Sequence, residues 1–115
     1  MKLMILILND IEKLERLLKR FHDEEISGAT VINSTGMARA LAEIGDESLL
    51  GSLRHLLDMD RQENCTVLMA LNESKVATTV ALIESVVGDL SQPNTGLVMT
   101  LPIDFAKGAY GLEAK

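Results

Sequence analysis

Two stretches of this chain are apolar with almost no alternation, Leu3 to Leu8 and Cys65 to Leu71. In a strand, successive side chains point to opposite faces of the sheet, so a strand with one wet face alternates apolar and polar residues. Neither stretch does. In the second, Val67, Met69 and Leu71 fall on one side, and Leu68 and Ala70 fall on the other. Both strands therefore require burial on both faces.

Each of them opens the same plan. Lys2 to Leu8, Ile11 to Phe21 and Ala29 to Thr35 read as strand, helix, strand, and Cys65 to Leu71, Asn72 to Val87 and Leu97 to Ile103 repeat that order. Asn9 or Asp10 caps the first helix, whose apolar face is Ile11, Leu14, Leu17, Leu18 and Phe21. On its wet side Glu12/Arg16 and Glu15/Lys19 are i,i+4 ion pairs. Asn72 caps the second helix, Val76, Val80, Ile83 and Val87 form its buried stripe, and Gly88 ends it. In the last strand Leu97, Met99 and Leu101 alternate with Val98, Thr100 and Pro102, and the proline fits only an edge or a strand end.

Two βαβ halves predict one α+β domain over residues 1–115, with a four-stranded sheet and two helices. Right-handed crossovers put both helices on the same face. The opposite face, apolar on strands one, three and four, would be a large sticky patch in water. It is expected to be buried against other subunits.

The long connection from Met37 to Asn64 carries its own pattern. Met37, Leu41 and Ile44 suit a short helix, and Gly45 to Ser48 break it. Leu49, Leu50, Leu53, Leu56 and Leu57 then recur at helical spacing, with Arg54, His55 and Asp58 off that face. This extra helix either packs on its own molecule or a sister subunit, or docks a partner through Leu53, Arg54 and Leu56. Met59 to Asn64 is polar and expected to be exposed. Asn33-Ser34-Thr35-Gly36 puts small hydrogen-bonding residues at a strand end, before a glycine that admits close approach of a ligand. A plain strand exit reads the same way. The tail from Asp104 to Lys115 is expected to be partly ordered.

Composition narrows the function classes. With 11 Lys+Arg against 17 Asp+Glu and a net charge of −6, the chain lacks the basic footprint of nucleic-acid or anionic-membrane binding. Cys65 is the only cysteine, which rules out an intrachain disulfide and leaves no Cys/His metal spacing. It reads as a small core-edge residue, and the single cysteine fits a reducing, cytoplasmic setting, although a cysteine-poor secreted protein would look similar. The first apolar run is too short to span a membrane and ends at Asn9-Asp10 without a small-residue cleavage site. His22 and His55 have no carboxylate or nucleophile partner by spacing, so no enzyme is read here.

The order and spacing over nearly the whole chain resemble the nitrogen regulatory PII signalling family, as a divergent, PII-like member. Asn33-Ser34-Thr35-Gly36 sits where that family enters its T-loop, and Gly88 to Gly96 sits where its B-loop runs into the last strand. Leu97-Val98-Met99-Thr100-Leu101-Pro102-Ile103 is similar to its last strand, which often ends Leu-Pro-Val. A cyclic-dinucleotide-binding branch is also similar around Ser34-Thr35-Gly36.

The resemblance implies a ferredoxin-like βαββαβ sandwich, with a four-stranded antiparallel sheet and two helices on one face. It also implies a homotrimer with the sheets facing inward. Ligand clefts would lie between subunits, walled here by Thr35, Gly36, Met37, Gly88, Asp89, Asn94, Thr95, Gly96 and Lys107. Backbone N–H groups at the glycines, and the side chains of Thr35, Asn94 and Thr95, would hold polar ligand atoms. Typical members bind adenine nucleotides and 2-oxoglutarate, and signal to a partner protein through the T-loop. The implied function is thus a trimeric sensor or adaptor for a small ligand, an adenine nucleotide or cyclic dinucleotide being the candidates. It would signal through residues 37–64. The alternatives are a ligand-free structural or interaction trimer and a divalent-metal-binding trimer. The chain departs from the family in three places: no basic residue in the loop Gly88 to Gly96, only Lys107 where arginines follow the last strand, and no tyrosine in the T-loop region. Phosphate needs cations or converging N–H groups.

Overall fold

A computed structural model describes residues 1–37, 40–41, 64–93 and 95–108. Strand β1 (Lys2–Leu8) is central and pairs antiparallel on one side with β3 (Asn64–Leu71) and on the other with β4 (Leu97–Pro102). Strand β2 (Thr30–Ser34) pairs antiparallel with β3, so the sheet order is β2-β3-β1-β4. Pro102 ends an edge strand, where its missing N–H costs no ladder bond.

Helix α1 (Ile11–Asp23) starts where Asp10 accepts a hydrogen bond from the Glu12 N–H at 3.0 Å. It buries Leu14, Leu17 and Phe21, with Ile11 and Leu18 packed beside them. The i,i+4 ion pairs expected on its wet side are not closed. Among the described residues the ion pair within 4 Å is Lys2 to Glu73, at 3.6 Å. Long exposed side chains gain little by giving up their freedom for a screened contact.

The second helix starts later than its sequence pattern predicts. The Lys75 N–H reaches the Asn72 carbonyl at 2.9 Å, and the Asn72 side chain accepts from the Ser74 N–H at 3.3 Å. This closes a 3-10 turn, Glu73–Lys75, and α2 proper is Val76–Val87. It buries Thr79, Leu82, Ile83 and Val87. Val76 and Val80, expected in the stripe, are only partly buried, and Thr79 and Leu82 take the central places. Both helices lie against the face formed by Met4, Leu6 and Leu8 of β1 and by Cys65, Val67, Met69 and Leu71 of β3. Two helices cover little more than the two central strands, so the edges stay open on this side too. Val98 packs on the core, but Thr100, Pro102 and Val31 are exposed.

The register defines the other face. Leu101, Leu3 and Ala70 form one row across the sheet. Met99, Ile5, Leu68 and Thr30 form the next, then Leu97, Ile7, Thr66 and Ile32. Leu97, Met99 and Leu101 are 51%, 39% and 44% exposed. Among the described residues no element covers this face.

Candidate functional site

Ser34 lies opposite Asn64, Leu8 opposite Cys65, and Ile7 opposite Leu97, so the chain leaves β2 and β1 and enters β3 and β4 at one end of the sheet. Two of the segments expected to hold a ligand emerge there, Thr35 to Met37 after β2 and Gly88 to Gly96 before β4. They belong to opposite edges. Three strand spacings, roughly 14 Å, separate β2 from β4. The second segment bonds α2 and lies against Ile7 and Leu8 of β1, on the β4 side of the sheet.

At the β2 edge a polar cluster forms. Ser34 Oγ lies 2.9 Å from Thr66 Oγ1. Asn64 is only 8% exposed. The exposed position expected for it is therefore corrected: it is the first residue of β3, and pairing with β2 covers it. With the amide oriented so that its oxygen does not face the Ser34 carbonyl, its nitrogen donates to Ser34 Oγ at 2.6 Å and to the Ser34 carbonyl at 2.7 Å, while its oxygen accepts from the Gly36 N–H at 3.3 Å. The Ala40 N–H then donates to the Gly36 carbonyl at 3.0 Å, opening a helical turn at the exposed Met37.

At the β4 edge the loop is closed on itself. The Gly88 N–H donates to the Glu84 carbonyl at 3.0 Å, and its φ of 96° is the left-handed backbone that favours glycine. The Glu84 carboxylate accepts from the Leu90 N–H at 2.9 Å. The Asp89 carboxylate accepts from the Ser91 N–H at 2.9 Å and from Ser91 Oγ at 2.7 Å. Those bonds, the backbone one first, hold the Asp89 pKa below the ordinary carboxylate value. Thr95 Oγ1 donates to the Gln92 carbonyl at 2.8 Å. Gly96, at φ 149°, lies so close to β1 that a Cβ would meet the Ile7 carbonyl at 3.0 Å and Leu8 Cδ2 at 3.2 Å.

The expected wall is thus brought together only in part. Gly88 and Thr95 are neighbours, a Cβ on the glycine standing 4.0 Å from Thr95 Cγ2. Lys107 is exposed and follows β4 from the far end of the sheet, where the Ile103 N–H bonds the Met1 carbonyl at 3.1 Å. Asn94, the docking residues Leu53, Arg54 and Leu56, and the helix Leu49 to Leu57 lie outside the described residues. The N–H groups of Gly36 and Gly88, expected to hold ligand atoms, are already donated to Asn64 and Glu84. The described part of the loop contributes Asp89, beside Glu84, and no cation.

Elsewhere, a groove of about 360 Å³ runs between the end of α1 and α2, lined by Arg20, Glu24, Ile26, Lys75, Thr78 and Leu82 among others. No expected wall residue lines it. The Thr79 and Ser85 hydroxyls on its α2 side donate to the Lys75 and Leu82 carbonyls. Cys65 is buried, and burial pushes its thiol pKa up. Among the described residues no three His, Cys, Asp or Glu side chains converge as a metal site would need, and no helix is long and apolar enough to cross a membrane.

Sequence reasoning missed Asn64 and Thr66 as partners of Ser34. The signal was present as two polar residues at period two, Asn64 and Thr66, at the start of an apolar strand. What they face depends on the β2–β3 register. Compared with models of known protein families and with curated proteins, the chain matches none.

Proposed function

We propose that this chain is a PII-like small-molecule sensor or adaptor, a binding protein rather than an enzyme. It acts as a homotrimer of ferredoxin-like subunits. The sheet order β2-β3-β1-β4, with every neighbouring pair antiparallel, supports the fold reading. One observation carries the functional reading: two candidate wall segments leave the same end of the sheet at opposite edges, beside an apolar face that nothing described covers. A closed ring of copies with those faces inward sets the β2 edge of one copy beside the β4 edge of the next. Thr35 to Met37 of one subunit then stand near Gly88 to Gly96 of another, and the cleft between them is the ligand site. The connection 37–64, rooted at that cleft, carries the signal to a protein partner.

Glu84 and Asp89 make the loop side acidic, which raises the cost of bringing phosphate there. For an adenine nucleotide or cyclic dinucleotide, Arg39 or Arg54 of the connection would supply the cations, since Lys107 leaves β4 at the far end of the sheet. A thermal-shift screen of the purified protein over ATP, ADP, AMP and cyclic dinucleotides tests this ligand class. A saturable rise in Tm with one of them is expected, and no shift with any of them rules the class out.

A second reading is an interaction trimer without a small ligand. The hydrogen bonds that Asp89, Thr95 and Glu84 already make within the loop favour it. Loss of partner capture in Leu53→Asp and Leu56→Asp, with the trimer intact and no ligand response, distinguishes this reading from the first.

A further inference from the structure

We propose that Asn64 is the positioning residue of the candidate site, fixing the backbone at Gly36 from the start of the neighbouring strand. The inference rests on the reading of Thr35 to Met37 as a ligand wall, and adds what holds that wall in place.

The Asn64 amide spans three groups of β2 and its exit. Its nitrogen donates to Ser34 Oγ and to the Ser34 carbonyl, and its oxygen accepts from the Gly36 N–H. The reverse orientation would set the amide oxygen against the Ser34 carbonyl oxygen at 2.7 Å and the amide nitrogen against an N–H, so this one is fixed by chemistry. Ser34 Oγ, which accepts from Asn64, also shares a hydrogen bond with Thr66 Oγ1 at 2.9 Å, in which either hydroxyl can donate. Every hydrogen-bonding atom of the Asn64 amide thus has a partner in a nearly buried setting, where an unmade bond is costly.

Gly36 is held on both sides of its residue. Its N–H goes to Asn64 and its carbonyl accepts from the Ala40 N–H at 3.0 Å. A Cβ at Gly36 would stand 3.3 Å from the end of the Asn64 side chain, so a larger residue there would push on that amide. Asn64 therefore sets the direction in which Thr35 and Met37 leave the sheet. A ligand acceptor cannot take the Gly36 N–H without displacing it.

Amide hydrogen exchange followed by NMR, on the full chain without ligand, tests this. In the wild type the Gly36 N–H is expected to be protected. Asn64→Ala is expected to speed exchange at Gly36 about tenfold, the worth of one net hydrogen bond, beyond any change at Leu6 or Val67. Ser34→Ala disturbs the same cluster but keeps the Asn64 oxygen on Gly36, and is expected to leave Gly36 in step with the core. A fast-exchanging Gly36 in the wild type overturns the proposal even if Asn64→Ala does not fold. So does a Gly36 response in Asn64→Ala no larger than that of the core. The measurement needs no ligand, so a negative ligand screen beside a protected, Asn64-dependent Gly36 would sink the site reading and leave the positioning contact standing.

Discussion

Gly96 has no room for a side chain. A Cβ there meets a backbone carbonyl, Ile7 O, at 3.0 Å, and the residue sits at φ 149°. Gly28 also has a positive φ, 82°, but open space around it. Gly96→Ala is therefore expected to cost about 1–3 kcal/mol, from strain plus displaced backbone, and Gly28→Ala only about 1 kcal/mol from the left-handed backbone. Thermal denaturation checks the order, and an equal loss in both would contradict it. Asp89 makes a pH prediction. A carboxyl whose folded pKa is depressed lends stability that is fully present above its unfolded value, about 3.9, and is lost as pH falls through the folded value. Ser91→Ala removes the hydroxyl bond and keeps the backbone one, so the Asp89 pKa measured by NMR is expected to rise part of the way to normal. An unchanged value would show that the hydroxyl contributes nothing. At this scale the Gly28 turn, the Gly88 helix end and a cap at Asn9 or Asp10 were legible in the sequence, because their conformational reasons are local, whereas the packing of Gly96 on β1 was not. Nor was Asn64, since its partners lie across a strand pair.

The two helices differ in how openly their sequences declare a buried side. In α1 Glu15, Arg16, Lys19 and Arg20 separate Leu14, Leu17, Leu18 and Phe21 into one stripe. In α2 Val76, Ala77, Val80, Ala81, Leu82, Ile83, Val86 and Val87 surround the axis, and periodicity alone cannot choose among them. The sheet chooses Leu82 and Ile83, and it buries Thr79, whose hydroxyl is satisfied by the Lys75 carbonyl at 2.7 Å. Ile83→Ala is expected to cost about 2–5 kcal/mol through lost burial and a cavity. Thr79→Val keeps the shape, and the Lys75 carbonyl keeps its place in the helix ladder, so a change of about 1 kcal/mol or less is expected. Denaturant midpoints test both; a larger loss from Thr79→Val would mean that the hydroxyl bond matters more than its backbone setting suggests.

For the whole molecule, the unalternating runs Leu3 to Leu8 and Cys65 to Leu71 declared two buried faces, and the register assigns each residue to one of them. Met4, Leu6 and Leu8 take the helices. Leu3, Ile5 and Ile7 join Leu97, Met99 and Leu101 on a face without cover among the described residues. Strand order, of which only the family resemblance carried an expectation, was beyond periodicity and composition, since pairing partners depend on long-range register. Without it, the separation of Gly36 and Gly96 on opposite edges was also hidden. In the proposed function that separation links assembly to ligand binding, with the two halves of the cleft supplied by neighbouring copies. Sedimentation equilibrium of the purified chain at micromolar concentration tests this most directly. A single species of three times the chain mass is expected, and a folded species of one chain mass would overturn the trimer.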